Sequence, residues 1–178
     1  MVSPAQKADL LEMLGSARTA LFSAVRSRRE ESLGTRARDI LGNATLSVKE
    51  QVAHLAELES SLRAWVGRSR DETRPRIDLD AIRGATAYPR ESAREQAIES
   101  LIEELESQRE QTLGLIHELN PDEFVRTLVH PGMGEVTILE LVNGVIRHDH
   151  EHTAFISGAP PKHTPRNLTA ETIPHHRV

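Results

Sequence analysis

The stretch Thr137–Ile156, TILELVNGVIRHDHEHTAFI, decides the fold predicted for this chain, because it has the pattern of one complete amphipathic helix. Thr137 precedes Glu140 by three residues, which is the spacing of a capping box at a helix start. Gly158 and Pro160 follow the stretch and are typical of a helix end. The apolar side chains that fall on one face of this helix are Ile138, Leu141, Val142, Val145 and Ile156.

Three further segments show the same helical spacing of apolar residues. They cover about residues 3–28, 47–66 and 92–119, and the first two begin with capping boxes such as that of Ser3 and Gln6. Four long amphipathic helices without a convincing strand predict an all-α protein, a four-helix bundle.

The connections between these helices differ in length. Residues 67–89 form a long crossover connection, which allows the helices on either side to run parallel instead of forming a hairpin. Short helices are expected near Thr35–Leu41 and Leu79–Arg83. Residues 122–135 contain His-Pro-Gly and a further glycine, which predicts a turn-rich link.

Length and composition indicate one domain and exclude several classes of protein. The bundle is expected to occupy residues 1–158, with an extended or disordered tail at 159–178. The 178 residues carry a net charge of −5, which argues against nucleic acid as a partner. The sequence shows neither a run of about 18 apolar residues nor a secretory signal, so we expect a cytoplasmic protein without a membrane partner. The absence of cysteine excludes disulfides and thiolate ligands.

The chemistry of the last helix lies in two histidines one turn apart. On the helical wheel His148, Asp149 and His152 fall within or beside the apolar arc, whereas His150 lies about 140° away and should be exposed to solvent. Imidazoles at positions i and i+4 of one face can bind the same ion. The spacing alone leaves open whether His148 and His152 are metal ligands or hydrogen-bonded core residues.

A third histidine, His54, lies at the edge of the apolar stripe of the second helix. Metal sites in helix bundles form from inward side chains on facing helices, so His54 could join the pair. Three imidazoles bind zinc, nickel or iron readily and leave positions open for water or substrate. A lone histidine at such an edge is more often a hydrogen-bonded boundary residue.

The letters HDHEH also match the H-x-x-E-H pattern of the inverzincin proteases, with Glu151 as general base. That chemistry needs a third ligand downstream, and only Glu171 in the expected tail is available. We therefore consider the protease interpretation weak.

Two stretches resemble the DinB/YfiT-like superfamily: LSVKEQVAHLAELE at 46–59 and HPGMGEVTILELVNGVIRHDHEHTAFI at 130–156. The resemblance extends over about residues 5–157. It implies a four-helix bundle of unusual connectivity, often a homodimer, that holds a divalent ion, nickel or zinc, on three histidines. Matched to the motif, these are His54, His148 and His152. Leu46 replaces the aromatic residue that usually precedes the serine of the second helix, which concerns packing only.

The resemblance also implies two kinds of activity on a small-molecule substrate. Characterised members are transferases and isomerases that use a low-molecular-weight thiol, and many others are described as metal-dependent hydrolases. A bound ion would lower the pKa of such a thiol or of a water molecule. Asp149, favoured over Glu151 by the wheel, would orient an imidazole or carry the proton. The alternative hypothesis is a non-catalytic metal-binding bundle that acts as a dimeric interaction or stress-response module.

Overall fold

The computed structural model describes residues 2–36, 45–78 and 92–158. Within them four long helices form the body of the molecule. The elements, in chain order, are helix α1 (Pro4–Arg26), the short helix α2 (Glu30–Leu33), α3 (Val48–Asp71), α4 (Ile98–Glu118), a 3₁₀ turn (Glu123–Val125), strand β1 (Thr127–His130), strand β2 (Gly134–Thr137) and α5 (Ile138–Ile156). The predicted four-helix bundle is confirmed.

Side-chain caps fix the start of three of these helices. The side chains of Ser3, Ser47 and Thr137 each accept a hydrogen bond from the backbone N–H three residues on. The side chain of that later residue in turn accepts a hydrogen bond from the backbone N–H of the capping residue. Each reciprocal pair satisfies two backbone donors that the first turn leaves without partners. The starts of α1, α3 and α5 therefore follow from local sequence.

The four long helices pack in the cyclic order α1, α4, α3, α5. Helices α1 and α5 run from one half of the core to the other, and α3 and α4 run the opposite way. Helices α3 and α4 are thus parallel neighbours, as the long connection between them predicts. Helices α1 and α3 lie diagonally opposite each other in the bundle. Helix α3 therefore packs between α4 and α5, and it runs antiparallel to α5.

The core consists of two apolar clusters stacked along the bundle axis. One cluster includes Leu14, Leu62 and Ile116 and lies beside the hairpin, and the other includes Leu21 and Leu105 and lies at the opposite end. Each long helix crosses from one cluster to the other within a few residues. The residues at that crossing are polar, and they build the site described below.

The link between α4 and α5 is a correction to the sequence analysis, which found no strand in the chain. Strands β1 and β2 form an antiparallel hairpin in which Thr127 pairs with Thr137 and His130 with Gly134. Residues 75–77 extend this hairpin, since Val129 exchanges backbone hydrogen bonds with Pro75 and Ile77, both 2.9 Å long. Four-residue strands are too short for the two-residue alternation to be recognised against a background of turn residues.

The imidazole of His130 holds the tip of the hairpin. This side chain is buried, and its Nδ1 accepts hydrogen bonds from the backbone N–H groups of Gly132 (3.1 Å) and Met133 (3.2 Å). Burial lowers the pKa of His130, which favours the neutral imidazole needed for Nδ1 to accept. A side chain therefore closes the turn that the sequence indicated only as a loop.

Some helix boundaries also differ from those expected. Helix α3 continues past Gly67 to Asp71, because Arg126 donates from Nη1 to the terminal carbonyls of Ser69 (2.8 Å) and Arg70 (3.2 Å). Helix α4 begins at Ile98 and not at residue 92. A short helix lies at 30–33, ahead of the one expected at 35–41.

Several expectations fall on residues outside the described part of the chain. They are most of the short helix at 35–41, the short helix at 79–83 and the tail at 159–178. Among the residues that the structure does describe, no helix combines the length and apolar character needed to cross a membrane.

The capping box of α3 predicts a pH dependence of stability. Burial alone would raise the pKa of Glu50, but hydrogen bonds from Arg36 and Ser47 outweigh it and lower that pKa from 4.5 to about 2. Because the native pKa lies below the unfolded one, this stabilisation is present above pH 4.5 and is lost as the pH falls towards 2.

We expect Glu50→Gln to lower the free energy of unfolding at pH 7 by about 2 kcal/mol and to flatten its slope between pH 5 and pH 3. Urea unfolding at a series of pH values measures both effects. Equal slopes for the variant and the parent protein would contradict the assignment to Glu50.

Candidate metal centre

Three imidazoles from two helices meet at one point in the bundle. The Nε2 atoms of His54 and His148 lie 3.1 Å apart, as do those of His148 and His152. One nitrogen from each ring lies within 4.8 Å of the others. His148 and His152 are one turn apart on α5, and His54 reaches them from α3. The convergence of the two sequence-distant segments is therefore a feature of the fold.

The tautomer of His152 is fixed by a neighbour on α3. The side-chain nitrogen of Gln51 donates to the carbonyl of Leu46 (3.0 Å), so the side-chain oxygen of Gln51 must face the other way. That oxygen lies 2.7 Å from Nδ1 of His152, which must be the protonated nitrogen. Nε2 of His152 therefore presents a lone pair to the other two rings.

His148 has a similar arrangement with a carboxylate. Its Nδ1 lies 3.4 Å from an oxygen of Glu151, one turn along α5. This contact places a carboxylate beside the outer nitrogen of His148, while Nε2 faces the other two rings. Carboxylates and amides on the outer nitrogen are the partners that metal-bound histidines commonly have.

The surroundings of His152 disfavour its protonated form. Burial lowers the pKa of His152 well below its usual value, and the charges of His148, His54 and Arg18 lower it further. Neutral imidazole is the form that binds metal ions. His54 is only partly buried, so the site is open on the side of α3.

This geometry fits a divalent ion. Two nitrogens bound to a tetrahedral ion at 2.0–2.1 Å are about 3.3 Å apart, close to the separations found here. Imidazole nitrogens this close require either a shared proton or a cation between them. A three-histidine set also leaves coordination positions for other ligands.

Beneath the histidines lies a layer of four buried charges, one from each long helix: Arg18, Glu59, Arg109 and Asp149. Arg18 bonds through its Nε and Nη2 to both oxygens of Asp149 (3.1 and 3.0 Å) and through Nη2 to Glu59 (2.9 Å). Arg109 contacts the same two carboxylates, at 2.8 Å from Asp149 and 2.5 Å from Glu59. We call these four residues the charge layer.

The charge layer is neutral overall but is not fully hydrogen-bonded. Within the described part of the chain, Arg18 Nη1, Arg109 Nε and Glu59 Oε2 are buried without a hydrogen-bond partner. Unpaired buried polar atoms cost free energy. The layer is therefore sensitive to the loss of any member.

The structure separates the sequence-predicted residues into two groups. His54, His148 and His152 come together, and His150 is exposed as the wheel predicted. Both carboxylate oxygens of Asp149 accept hydrogen bonds from arginines, where the sequence analysis had considered a contact with an imidazole. A role of Asp149 in proton transfer stays a prediction.

The sequence did not reveal the role of Gln51. It also did not reveal the three residues of the charge layer other than Asp149. A signal was present: Arg18, Glu59 and Arg109 each occupy a position three or four residues from apolar residues of their helix, where the stripe would otherwise continue. A charged residue on a core face predicts a buried partner of opposite charge. Glu171, required by the protease interpretation, lies outside the described residues.

We expect Gln51→Leu to weaken divalent-ion binding, because it removes the acceptor that holds the Nδ1 proton of His152. Loss of such an outer partner typically costs 10- to 100-fold in metal affinity. Calorimetric titration with Zn²⁺ measures the change, and Gln111→Leu, at an exposed position of α4, is the matched control. Unchanged affinity in Gln51→Leu would show that the tautomer is set by another contact.

Comparisons with known proteins give a family and a similar fold. No curated protein matches the sequence significantly. The structure is similar to that of YfiT from Bacillus subtilis, with a TM-score of 0.71 and 22% sequence identity over 89% of this chain and 88% of that one. YfiT is described as a probable metal-dependent hydrolase with an unusual four-helix bundle topology. The family model of the DinB superfamily matches residues 13–156. With a match over most of its length, the chain belongs to the DinB superfamily.

Proposed function

We propose that the protein is a divalent-metal-dependent enzyme acting on a small molecule, with nickel or zinc held by His54, His148 and His152. The observation that carries this proposal is the meeting of three imidazole nitrogens, with Gln51 and Glu151 beside the outer nitrogens of His152 and His148. The description of YfiT as metal-dependent supports it. Bound there, the ion would supply an acidic centre that favours the deprotonated form of a thiol or a water molecule.

The remaining residues have roles that follow from their contacts. Gln51 and Glu151 hold the ring orientations of His152 and His148. Glu151 is also partly exposed, which suits it to exchange a proton with solvent. We propose Asp149 as a positioning residue, because its two hydrogen-bonded arginines hold α1 and α4 against the ligand helix.

The proposal includes two reaction classes that a single screen separates. Zn²⁺- or Ni²⁺-loaded protein is tested for turnover of a panel of esters and amides without thiol, and of electrophiles with bacillithiol, mycothiol or glutathione. A hydrolase acts without thiol, whereas a transferase requires one of the three. Catalysis in the loaded form alone supports the proposal, and equal rates in loaded and apo protein contradict it.

The non-catalytic alternative makes a different prediction. An ion that serves only the fold would stabilise the bundle strongly, so chelation would lower the melting temperature by many degrees without any turnover in the screen. We further propose a cytoplasmic homodimer, by resemblance to the family, and sedimentation analysis measures the oligomeric state.

A further inference from the structure

Helices α3 and α5 and the hairpin border a partly open cavity of about 350 Å³. Its walls are mostly apolar and include Leu58, Leu62, Trp65, Leu141 and Val145. Cavities of this size and character bind small molecules. Another cavity, of about 380 Å³, lies between α1 and α4, which carry none of the three histidines, and is ringed by charged side chains.

The position of the cavity relative to the histidines follows from helix geometry. Leu58 lies one turn beyond His54 on α3, and Gly144 lies one turn before His148 on α5. Because the two helices are antiparallel, these steps run in the same direction, and each covers about 6 Å. Trp65, at the far end, lies about 16 Å along α3 from His54. None of the three histidines lines the cavity, but its nearest lining residues lie one helical turn from His54 and His148 on the same helix faces.

The polar residues of the cavity wall are already engaged with protein partners. Glu135 forms an ion pair with Arg74, and Glu140 accepts hydrogen bonds from the backbone and side chain of Thr137 (2.7 and 2.8 Å). Asn143 donates to the carbonyl of Leu139 at 3.0 Å, and Arg147 lies 3.9 Å from Glu151. The part of a ligand that fits this cavity is therefore mainly apolar.

We propose that this cavity binds the apolar part of the substrate, a chain or ring whose polar, reacting end lies at the three histidines. The proposal rests on the proposed function for the identity of the reacting end. It assigns Trp65 and Gly144 to substrate recognition: the indole forms one wall, and the missing side chain at 144 leaves the space open. The substrate class is then a small amphipathic molecule with one polar end.

The chain offers a specific reporter and a specific block for this cavity. Trp65 is the single tryptophan of the sequence, so its fluorescence reports on this cavity alone. A Cβ at Gly144 would meet only the end of the Arg147 side chain, at 3.8 Å. Gly144→Leu should therefore fill the cavity without disturbing the core, and a helical glycine replaced by leucine gains helix propensity.

The first measurement uses 6-bromohexan-1-ol as an apolar quencher of Trp65 in the metal-free protein. We expect saturable quenching in the parent protein and an apparent Kd at least about tenfold higher in Gly144→Leu. Gly114→Leu, the same exchange at an exposed position of α4 with nothing within 4 Å, is the matched control and should behave as the parent.

Linear, non-saturating quenching, or equal Kd in Gly144→Leu and Gly114→Leu, would overturn the proposal. Quenching that weakens as the protein is concentrated would instead assign the cavity to a second copy of the chain, and would overturn it as well.

The second measurement tests whether cavity and histidines form one site. Zn²⁺-loaded protein is titrated with acetohydroxamate and octanohydroxamate, which share a metal-binding head and differ in the apolar tail. We expect the longer tail to raise affinity on the order of a hundredfold in the parent and in Gly114→Leu, but not in Gly144→Leu.

The two measurements separate the two proposals. Zinc binding without any gain from the tail would overturn the cavity proposal and leave the metal centre standing. Saturable quenching in a protein that binds no zinc would overturn the metal centre and support an apolar ligand site at Trp65.

Discussion

His148→Ala is expected to lower the affinity for Zn²⁺ or Ni²⁺ by on the order of a hundredfold to a thousandfold. The Nε2 of His148 lies 3.1 Å from the corresponding nitrogens of both His54 and His152, so it is the central member of the three. Its removal leaves two imidazoles from different helices, which form a poor chelate. Calorimetric titration of the untagged, metal-free protein measures the loss.

His150→Ala is the matched control, because it removes the same type of side chain from the exposed face of the same helix. This variant should bind the ion as the parent does. Equal ion content in the two variants after purification would contradict the metal centre, provided that both show the circular dichroism of the folded bundle.

Glu59→Gln is expected to reduce the free energy of unfolding by about 3–5 kcal/mol. The exchange keeps the shape of the side chain but removes one of the two negative charges that the buried Arg18 and Arg109 share. Those guanidinium groups would then lie in the core with only Asp149 to compensate them. Urea unfolding measures the loss, and Glu110→Gln on the exposed face of α4 should change stability by less than about 0.5 kcal/mol.

The charge layer predicts a non-additive double variant. Glu59→Leu combined with Arg109→Met removes one charge of each sign and leaves the two-point pair of Arg18 and Asp149 intact. We expect this double variant to be more stable than either single exchange, because neither charge is left alone in the core. Additive losses in the double-mutant cycle would contradict coupling within the layer.

One physical cause explains why some elements could be predicted from the sequence and others could not. Helix starts at Ser47 and Thr137 depend on contacts three residues apart, and the apolar stripes repeat every three or four residues, so both can be recognised in the sequence. The hairpin at 127–137 depends on His130 and on hydrogen bonds to Pro75 and Ile77, some fifty residues away in the chain. Local patterns carry little information about such contacts.

The residues of the candidate site also fall into those that the sequence predicts and those that only the fold brings together. The pair His148 and His152 follows from helical spacing, because both lie on one helix and one turn separates them. The approach of His54 was suggested by its helix and by family resemblance, but the 3.1 Å separation depends on how α3 and α5 are aligned along the bundle. Gln51 could not be assigned without that alignment.

By itself, the sequence determined the four amphipathic helices, the caps that begin three of them, and the chemistry available on the inner face of α5. The tertiary structure alone decided which charges meet, where the apolar cavity lies and which nitrogen of His152 is free to bind. The reason is that helix periodicity is a property of neighbouring residues, whereas the relative height of Arg18, Glu59, Arg109 and Asp149 is set by the packing of both core halves together.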